Sequence, residues 1–232
     1  MKNRLLVIII LALSVMSLKS LSVEASSKEL TKVNDAIDVL EEIMAIPEKG
    51  IPPALLNNAK GIAIIPGVVK AGFILGGRHG SGILVVRDSQ SGWSNPSFVT
   101  LTGGSIGWQV GVQSADIILV FKSKRSIDNI MKGKFTLGAD ASVAAGPVGR
   151  QAEAGTDVQL KAEIVSYSRT RGLFAGLSIE GAALQIDDEA NDAFYKSENV
   201  TTNDILANKN IQVPEVVNKL KKTLAKYATV KN

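Results

Sequence analysis

Glycine is distributed so unevenly along this chain that it divides the molecule into three parts. Of 21 glycines in 232 residues, 20 lie between Gly61 and Gly181, and only Gly50 lies outside. A helix interior loses about 1 kcal/mol for each glycine relative to alanine, so the middle points away from helix and toward bent or closely packed strands. The flanks are left to helices.

The middle alternates with period two. Ile106, Trp108, Val110 and Val112 form one apolar face, against Ser105, Gly107, Gln109, Gly111 and Gln113 on the other. That pattern predicts a half-buried strand. Phe135 to Val143 and Asp157 to Ile164 alternate likewise, and shorter runs at Ile62–Ile65, Ile83–Arg87, Phe98–Leu101, Asp116–Phe121 and Leu173–Ile179 add more. Turn-type residues such as Ser91-Gly92-Trp93-Ser94-Asn95-Pro96 separate them. The expected fold is a single α+β domain: a curved antiparallel glycine-rich sheet or barrel over 61–186, flanked by N- and C-terminal helices.

In the N-terminal flank, Leu30, Val33, Ile37, Leu40 and Met44 recur at three- and four-residue steps between acidic residues, predicting an amphipathic helix over 27–44 that ends before Pro47. A short helix starts at Pro52-Pro53 and stops at Gly61. Helices fill 187–232. Asp187, Asp188, Glu189 and Asp192 open one, Thr202 or Asn203 caps another, and the last starts at Pro214-Glu215 with Val217, Leu220, Leu224 and Tyr227 on one face. Residues 1–25 read as a cleaved secretory signal: Lys2 and Arg4 precede the apolar run Leu5–Val15, and Val23-Glu24-Ala25 has the shape of a cleavage site. The domain then occupies 26–232, exported to a periplasm or the exterior and peripherally attached to membrane. An uncleaved anchor is the competing reading, although Ser14, Ser17, Lys19 and Ser20 shorten the apolar stretch.

Composition removes several kinds of chemistry. With no Cys there is no disulfide framework, thiolate metal site or cysteine nucleophile, and the single His79 rules out a multi-histidine metal centre. No cofactor is expected. After the leader, 23 basic residues face 21 acidic ones, and the excess sits at the end: residues 209–232 carry six Lys against Glu215, while 26–208 carry 17 basic and 20 acidic residues. Nucleic acid is not an expected partner, because there is no Arg-rich stripe, RNP-type motif or zinc-finger spacing.

Four motifs invite a chemical reading. Gly103-Gly104-Ser105-Ile106-Gly107 has the G-x-S-x-G form of a hydrolase elbow, but that device needs a helix directly after the serine, and here the strand pattern continues with no later histidine. Gly76-Gly77-Arg78-His79-Gly80-Ser81-Gly82 reads as a tight turn, with a phosphate cradle as the alternative. The acids around Asp187 suit a helix start, or a hard cation. Lys219, Lys222 and Lys226 beside the apolar stripe of the last helix suit either water or anionic lipid, and sequence alone does not choose.

Taken in order, several segments closely resemble the SYLF domain family. They are Ala59-Lys60-Gly61-Ile62-Ala63-Ile64-Ile65-Pro66, Gly80-Ser81-Gly82-Ile83-Leu84, Trp93-Ser94-x-Pro96-x-Phe98, Gly104-Ser105-x-Gly107-x-Gln109-x-Gly111, Ala144-Ala145-Gly146-Pro147-x-Gly149-Arg150 and Tyr167-Ser168-Arg169-x-Arg171-Gly172-Leu173-Phe174-Ala175-Gly176. The resemblance implies binding of phosphoinositides or other anionic phospholipids, and no enzymatic activity. Eukaryotic members with SH3 or FYVE modules act at membranes and on actin; this chain shows no such module and its leader looks bacterial, so the actin role is not carried over. Lys60, Lys70, Arg78, Arg150, Arg169 and Arg171 are the expected phosphate-binding set, unless the arginines pair with local acids such as Glu153 or Glu180. Lys219, Lys222 and Lys226 are candidate membrane contacts. Two other functions stay open: a cell-envelope structural or assembly protein with a protein partner, and a hydrolase using Ser105.

Overall fold

The computed structural model describes residues 27–46, 50–88, 92–146, 161–170, 173–174, 179–197, 200–209 and 211–228, and the backbone alone at 72–75, 88, 105–112 and 173–174. Two very long strands dominate it: β1 (Gly61–Asp88) and β3 (Ser97–Phe121) run antiparallel in register from Gly61 opposite Phe121 to Leu84 opposite Ser97. Each unites several of the shorter runs read from the sequence. The segment Gly76–Gly82 is therefore neither turn nor cradle but part of β1, where Gly80 and Gly82 serve close packing instead of chain reversal.

That packing follows from how the ribbon curls. A Cβ on Gly82 would lie 2.1 Å from the Ile64 carbonyl oxygen and 2.7 Å from the Ile65 Cα, so the two limbs of β1 cross in contact where only a hydrogen fits. The ends then meet. Arg87 N–H donates to the Lys60 carbonyl at 2.8 Å, and Lys60 N–H donates to the Phe121 carbonyl at 2.8 Å. At Gly67 the chain takes φ +55° in the irregularity between Ile65 and Val68, and its N–H donates to Asp116 Oδ1 at 2.9 Å.

Short strands complete a curled, half-barrel sheet: β2 (Gly92–Trp93), β4 (Phe135–Thr136), β5 (Val143–Ala145), β6 (Ile164–Thr170), β7 (Leu173–Phe174) and β8 (Ala183–Ile186). β6 and β8 pair with successive stretches of β3, Asp116–Phe121 and Val99–Thr102. The expected all-antiparallel sheet is corrected at one place, since β5 lies parallel to β6. The alternation from Phe135 to Val143 is not one strand either. Gly138 takes φ +88° and the Asp140 carboxylate accepts the Thr136 N–H at 2.6 Å, which turns the chain after two residues. Of the stretch read as a strand from Asp157 to Ile164, residues 157–160 lie outside the described residues and only Ile164 belongs to β6. Residues 175–178 of the last expected run are also outside.

Away from the middle of the β1–β3 ribbon both faces of the sheet are buried, which explains the unbroken apolar runs. Ala63, Ile65, Leu84, Val99, Leu101, Ile117, Leu119 and Phe121 face the inside of the curl, closed by Ile127 and Ile130 of helix α3 (Lys124–Met131). Their neighbours Ile62, Ile64, Ile83, Val85, Phe98, Ile118 and Val120 face the helices. Those helices are α1 (27–44), α2 (Pro53–Asn58), α4 (Asp188–Tyr195), α5 (Thr202–Leu206) and α6 (Glu215–Ala228). Helix α1, described from residue 27, ends at Met44 as expected and buries Val33, Ile37 and Leu40 completely. Helix α2 stops at an extended Ala59, so Gly61 is no helix terminator; it is already in β1, where a Cβ would meet Ile127 Cδ1 at 2.7 Å.

The segment Trp93–Phe98, where the turn-type cluster Ser91–Pro96 runs into β3, is buried and ties the C-terminal helices to the sheet. Tyr195 Oη donates to the Pro96 carbonyl at 2.6 Å, the Phe98 N–H donates to Asn191 Oδ1 at 2.8 Å, and the Asn95 N–H donates to Asn208 Oδ1 at 2.7 Å. Asp187 caps α4 by accepting the Ala190 N–H at 3.1 Å, which is the helix-start role. On α5 the cap is Thr201, one residue earlier than expected, because it forms a reciprocal box with Asp204. Hydrogen bonds from Lys209 and Thr201 hold the Asp204 carboxyl down at about 2. A carboxyl depressed on folding stabilises above its unfolded pKa and loses that contribution as pH falls through the folded value. Thr201→Ala is expected to cost about 1 kcal/mol in urea unfolding at neutral pH. The difference from wild type should shrink between about pH 4 and pH 2, and a constant difference would contradict the box.

Candidate functional site

The β1–β3 ribbon has an unusual charge pattern. From Gly61 to Arg87 and from Ser97 to Ala115 there is no carboxylate, while Lys70, Arg78 and Arg87 stand on β1. Lys70 is half-buried opposite Gln113 and makes no ion pair among the described residues. Arg78 lies opposite Gly103 and reaches over β3 to donate to the Gly104 carbonyl at 3.4 Å; burial lowers its pKa. Beside Lys70, Val69 is 43% exposed. His79 is exposed on β1 opposite Thr102, an ordinary strand position.

At the base of the ribbon the Lys60–Arg87 and Lys60–Phe121 hydrogen bonds gather a second set of cations. Lys60 is exposed there. Just past Phe121, residues 122–134 carry Lys122, Lys124, Arg125, Lys132 and Lys134 against Asp128 alone. Sequence reading missed this stretch, although five cations in thirteen residues were there to be counted. Besides Asp128, Glu163 lies against this stretch, and its Oε2 accepts from Ser126 Oγ at 2.8 Å and Ser123 Oγ at 2.9 Å. Those hydrogen bonds, with Arg125 nearby, hold the carboxyl below its ordinary range. Arg87 itself is occupied, stacked 4.5 Å over Trp93 and donating to the Asn57 carbonyl at 2.9 Å.

Other expected site residues are placed differently. Arg169, on β6 opposite Asp116, is clamped between two carboxylates: it bonds Asp116 Oδ2 at 2.8 Å and pairs with Glu42 of α1. Burial alone would lower its pKa, but the hydrogen bonds to Asp116 and Glu42 outweigh that and raise it. Its charge is used to hold α1 on the sheet. Arg150 and Arg171 lie outside the described residues, as do Glu153 and the whole leader. On α6, Lys219, Lys222 and Lys226 are exposed, yet Val217, Leu220, Leu224 and Ala228 are at most 4% exposed. The apolar stripe of that helix is therefore part of the core and is not available to a bilayer; only the lysines remain outside.

The chemistry of catalysis finds little support in the backbone. Ser105 pairs with Gly76 inside β3, and the strand continues to Phe121, so no strand-to-helix turn follows the serine. Among the described residues no group of acids and His79 is placed to hold a metal ion, and no helix is long and apolar enough to cross a membrane.

Comparison with known proteins gives the lineage. Residues 102–227 match the family described as Ysc84: Las17-binding protein actin regulator. Protein YSC84 of Saccharomyces cerevisiae is 36% identical over 210 residues, covering 89% of this chain and 44% of that protein. LAS seventeen-binding protein 3 of the same yeast is 39% identical over 181 residues, 77% of this chain and 39% of that protein. SH3 domain-containing YSC84-like protein 1 of Homo sapiens is 36% identical over 171 residues, 71% of this chain and 50% of that protein. The chain thus spans half or less of the length of these relatives, one of which is named for binding LAS seventeen. With the match covering more than half of its residues, this chain belongs to the Ysc84/SYLF family.

Proposed function

We propose that this protein binds anionic phospholipid, phosphoinositide- or phosphatidate-like, at a membrane surface, without catalysing a reaction, and that it does so as an exported, peripherally attached domain. The observation that carries the reading is the absence of carboxylates from Gly61–Arg87 and Ser97–Ala115 of the ribbon, with Lys70 and Arg78 on it and Lys60 and the 122–134 cations at its base. A surface with that imbalance attracts anionic head groups by roughly 1 kcal/mol per basic residue, within a Debye length of the membrane.

Co-sedimentation with vesicles tests it. Binding is expected to phosphatidylcholine vesicles containing phosphatidylserine or a phosphoinositide, weakening as salt rises, and not to phosphatidylcholine alone. Reversing two charges with Lys60→Glu and Lys70→Glu should reduce partitioning at least about tenfold. Equal, negligible binding to neutral and anionic vesicles at low salt would overturn the proposal. A protein partner is the second reading, favoured by the relative named for binding LAS seventeen. Stoichiometric cross-linking to one protein in a chain indifferent to vesicles would establish that reading instead. Export predicts a mature N-terminus at Ser26, checked by N-terminal sequencing of the protein recovered from its native cells.

A further inference from the structure

Helix α3 keeps its isoleucines inside the curl. Ser126, Ile127 and Ile130 are at most 4% exposed, and a Cβ on Gly61 would meet Ile127 Cδ1. With successive side chains about 100° apart, the opposite side of the helix presents Arg125, Asp128 and Lys132 in one row, with Lys124 beside it. Lys124, Arg125 and Lys132 are exposed, as is Lys134 just beyond.

The fold adds cations from distant parts of the chain. Lys60 is exposed, and its N–H is bonded to the Phe121 carbonyl shortly before the helix. Lys161 is exposed too, and the Lys122 N–H donates to the Glu163 carbonyl at 2.9 Å, which brings 161–163 alongside. Among the described residues none of these exposed side chains makes an ion pair. Asp128 stands in the row itself, while Glu163 is turned onto the Ser123 and Ser126 hydroxyls. The next acids, Asp140 and Glu180, belong to the turn beyond β4, where Asp140 accepts the Thr136 N–H and Glu180 packs against Gly138.

The acids of α1 lie on the other side of the sheet. Val33, Ile37 and Leu40 share an outer core layer with Val217, Leu220 and Leu224, so Asp35, Asp38 and Glu42 occupy the same layer as the lysines of α6, and α3 stands on the inner layer. A charge separation across the sheet orients a domain in the field of a charged surface.

We infer that the outer face of α3, with Lys60, Lys134 and Lys161 around it, is the surface laid against an anionic bilayer, and that it adheres by summed charge without inserting or enclosing a head group. The inference rests on the lipid reading above and names its face and its mode. A head-group pocket needs polar groups converging in a recess, but these side chains are exposed on a convex helix and its surroundings. Insertion needs an exposed apolar stripe, and Ile127, Ile130 and the half-buried Met131 all pack inside the curl. What remains is adsorption, which follows the charge density of the membrane within a Debye length. Cations spread over a helix face suit a plane of mobile lipids that gather beneath them, whereas a protein partner must hold its acids at matching positions.

Charge reversal at two places separates this face from net charge. With phosphatidylcholine vesicles containing phosphatidylserine, Arg125→Glu with Lys132→Glu should lower partitioning at least about tenfold, while Lys222→Glu with Lys226→Glu on α6, the same change in net charge, should lower it less than about threefold. Phosphatidylglycerol in place of phosphatidylserine at equal mole fraction should bind equally well, and soluble glycerophosphoserine should not displace the protein. The chain contains no cysteine, so a dye on Asn129→Cys reports from the outer side of α3 with every charge kept. Its energy transfer to head-group-labelled lipid should exceed that of the same dye on Asn34→Cys, at an exposed position of α1. Equal losses from the two charge reversals, or equal transfer from the two dyes, would overturn the α3 face and leave lipid binding standing on another. A several-fold preference between the two anionic lipids, or displacement by the soluble head group, would overturn adhesion by summed charge. Absence of wild-type co-sedimentation overturns both readings. Loss of a cross-linked acidic protein from the α3 variant, with its vesicle binding unchanged, would give the face to that protein and overturn the membrane assignment.

Discussion

Gly82→Ala should destabilise the fold by about 3 kcal/mol or more, and Gly82→Val should prevent folding altogether. The added methyl would sit 2.1 Å from the Ile64 carbonyl oxygen and 2.9 Å from its carbon, backbone atoms that belong to the other limb of the same strand. No side-chain rotation relieves that contact; the crossing itself must open, and the core inside the curl opens with it. Urea unfolding followed by circular dichroism would measure the effect. Gly77→Ala is the control on the same strand, because a Cβ there meets nothing within 4 Å, and its effect should stay within about 0.5 kcal/mol. Equal effects at the two positions would show that strand propensity, and not the crossing, governs β1.

Arg169→Met should cost about 2–3 kcal/mol at neutral pH, through the loss of charge more than of packing. Methionine keeps an unbranched stem, but Glu42 and Asp116 lose their shared cation, with Asp35 and Asp38 close by on α1. Even with the arginine in place the Asp35 carboxyl is pushed up, by burial first and then by the charges of Asp38 and Asp116. A carboxylate whose folded pKa is raised disfavours the folded state above that pKa and ceases to do so as pH falls through it. The variant should therefore recover relative to wild type as pH falls through the carboxylate range, so that melting temperatures measured near pH 7 differ more than those near pH 4. A gap that does not narrow would assign Arg169 a packing role.

These two residues also show what could be read from the sequence and what could not. Period-two and period-3.6 patterns are local, so the N-terminal helix, the final helix and most strand stretches were legible, as was the α+β class. What joins them is not local. Nothing in Gly76–Gly82 distinguishes a turn from a strand that crosses itself, since glycine is permitted in both and the deciding contact is with Ile64. The candidate lipid-binding set was obscured in the same way. Whether Arg169 is free or paired stays open until the fold brings Glu42 of α1 to it, and whether the stripe of α6 meets lipid stays open until it is seen in the core. Lys60 is exposed at the base of the ribbon, while Lys70 is half-buried ten residues further along β1. The cations of 122–134 were visible as composition, but their relevance depends on Lys60 being hydrogen-bonded next to Phe121.

The hydrogen bond from Arg87 to Lys60 has a kinetic meaning as well. Pairing of β1 with β3 starts most cheaply at Leu84 and Ser97, beside the connection, and must travel the whole ribbon before Gly61 meets Phe121. Such distant pairing is slow to form. The bond that links the beginning of β1 to its end therefore works as a latch that engages after the last rung. Its amide should exchange with deuterium only through opening of the entire hairpin, so the Arg87 exchange rate would read the global unfolding equilibrium.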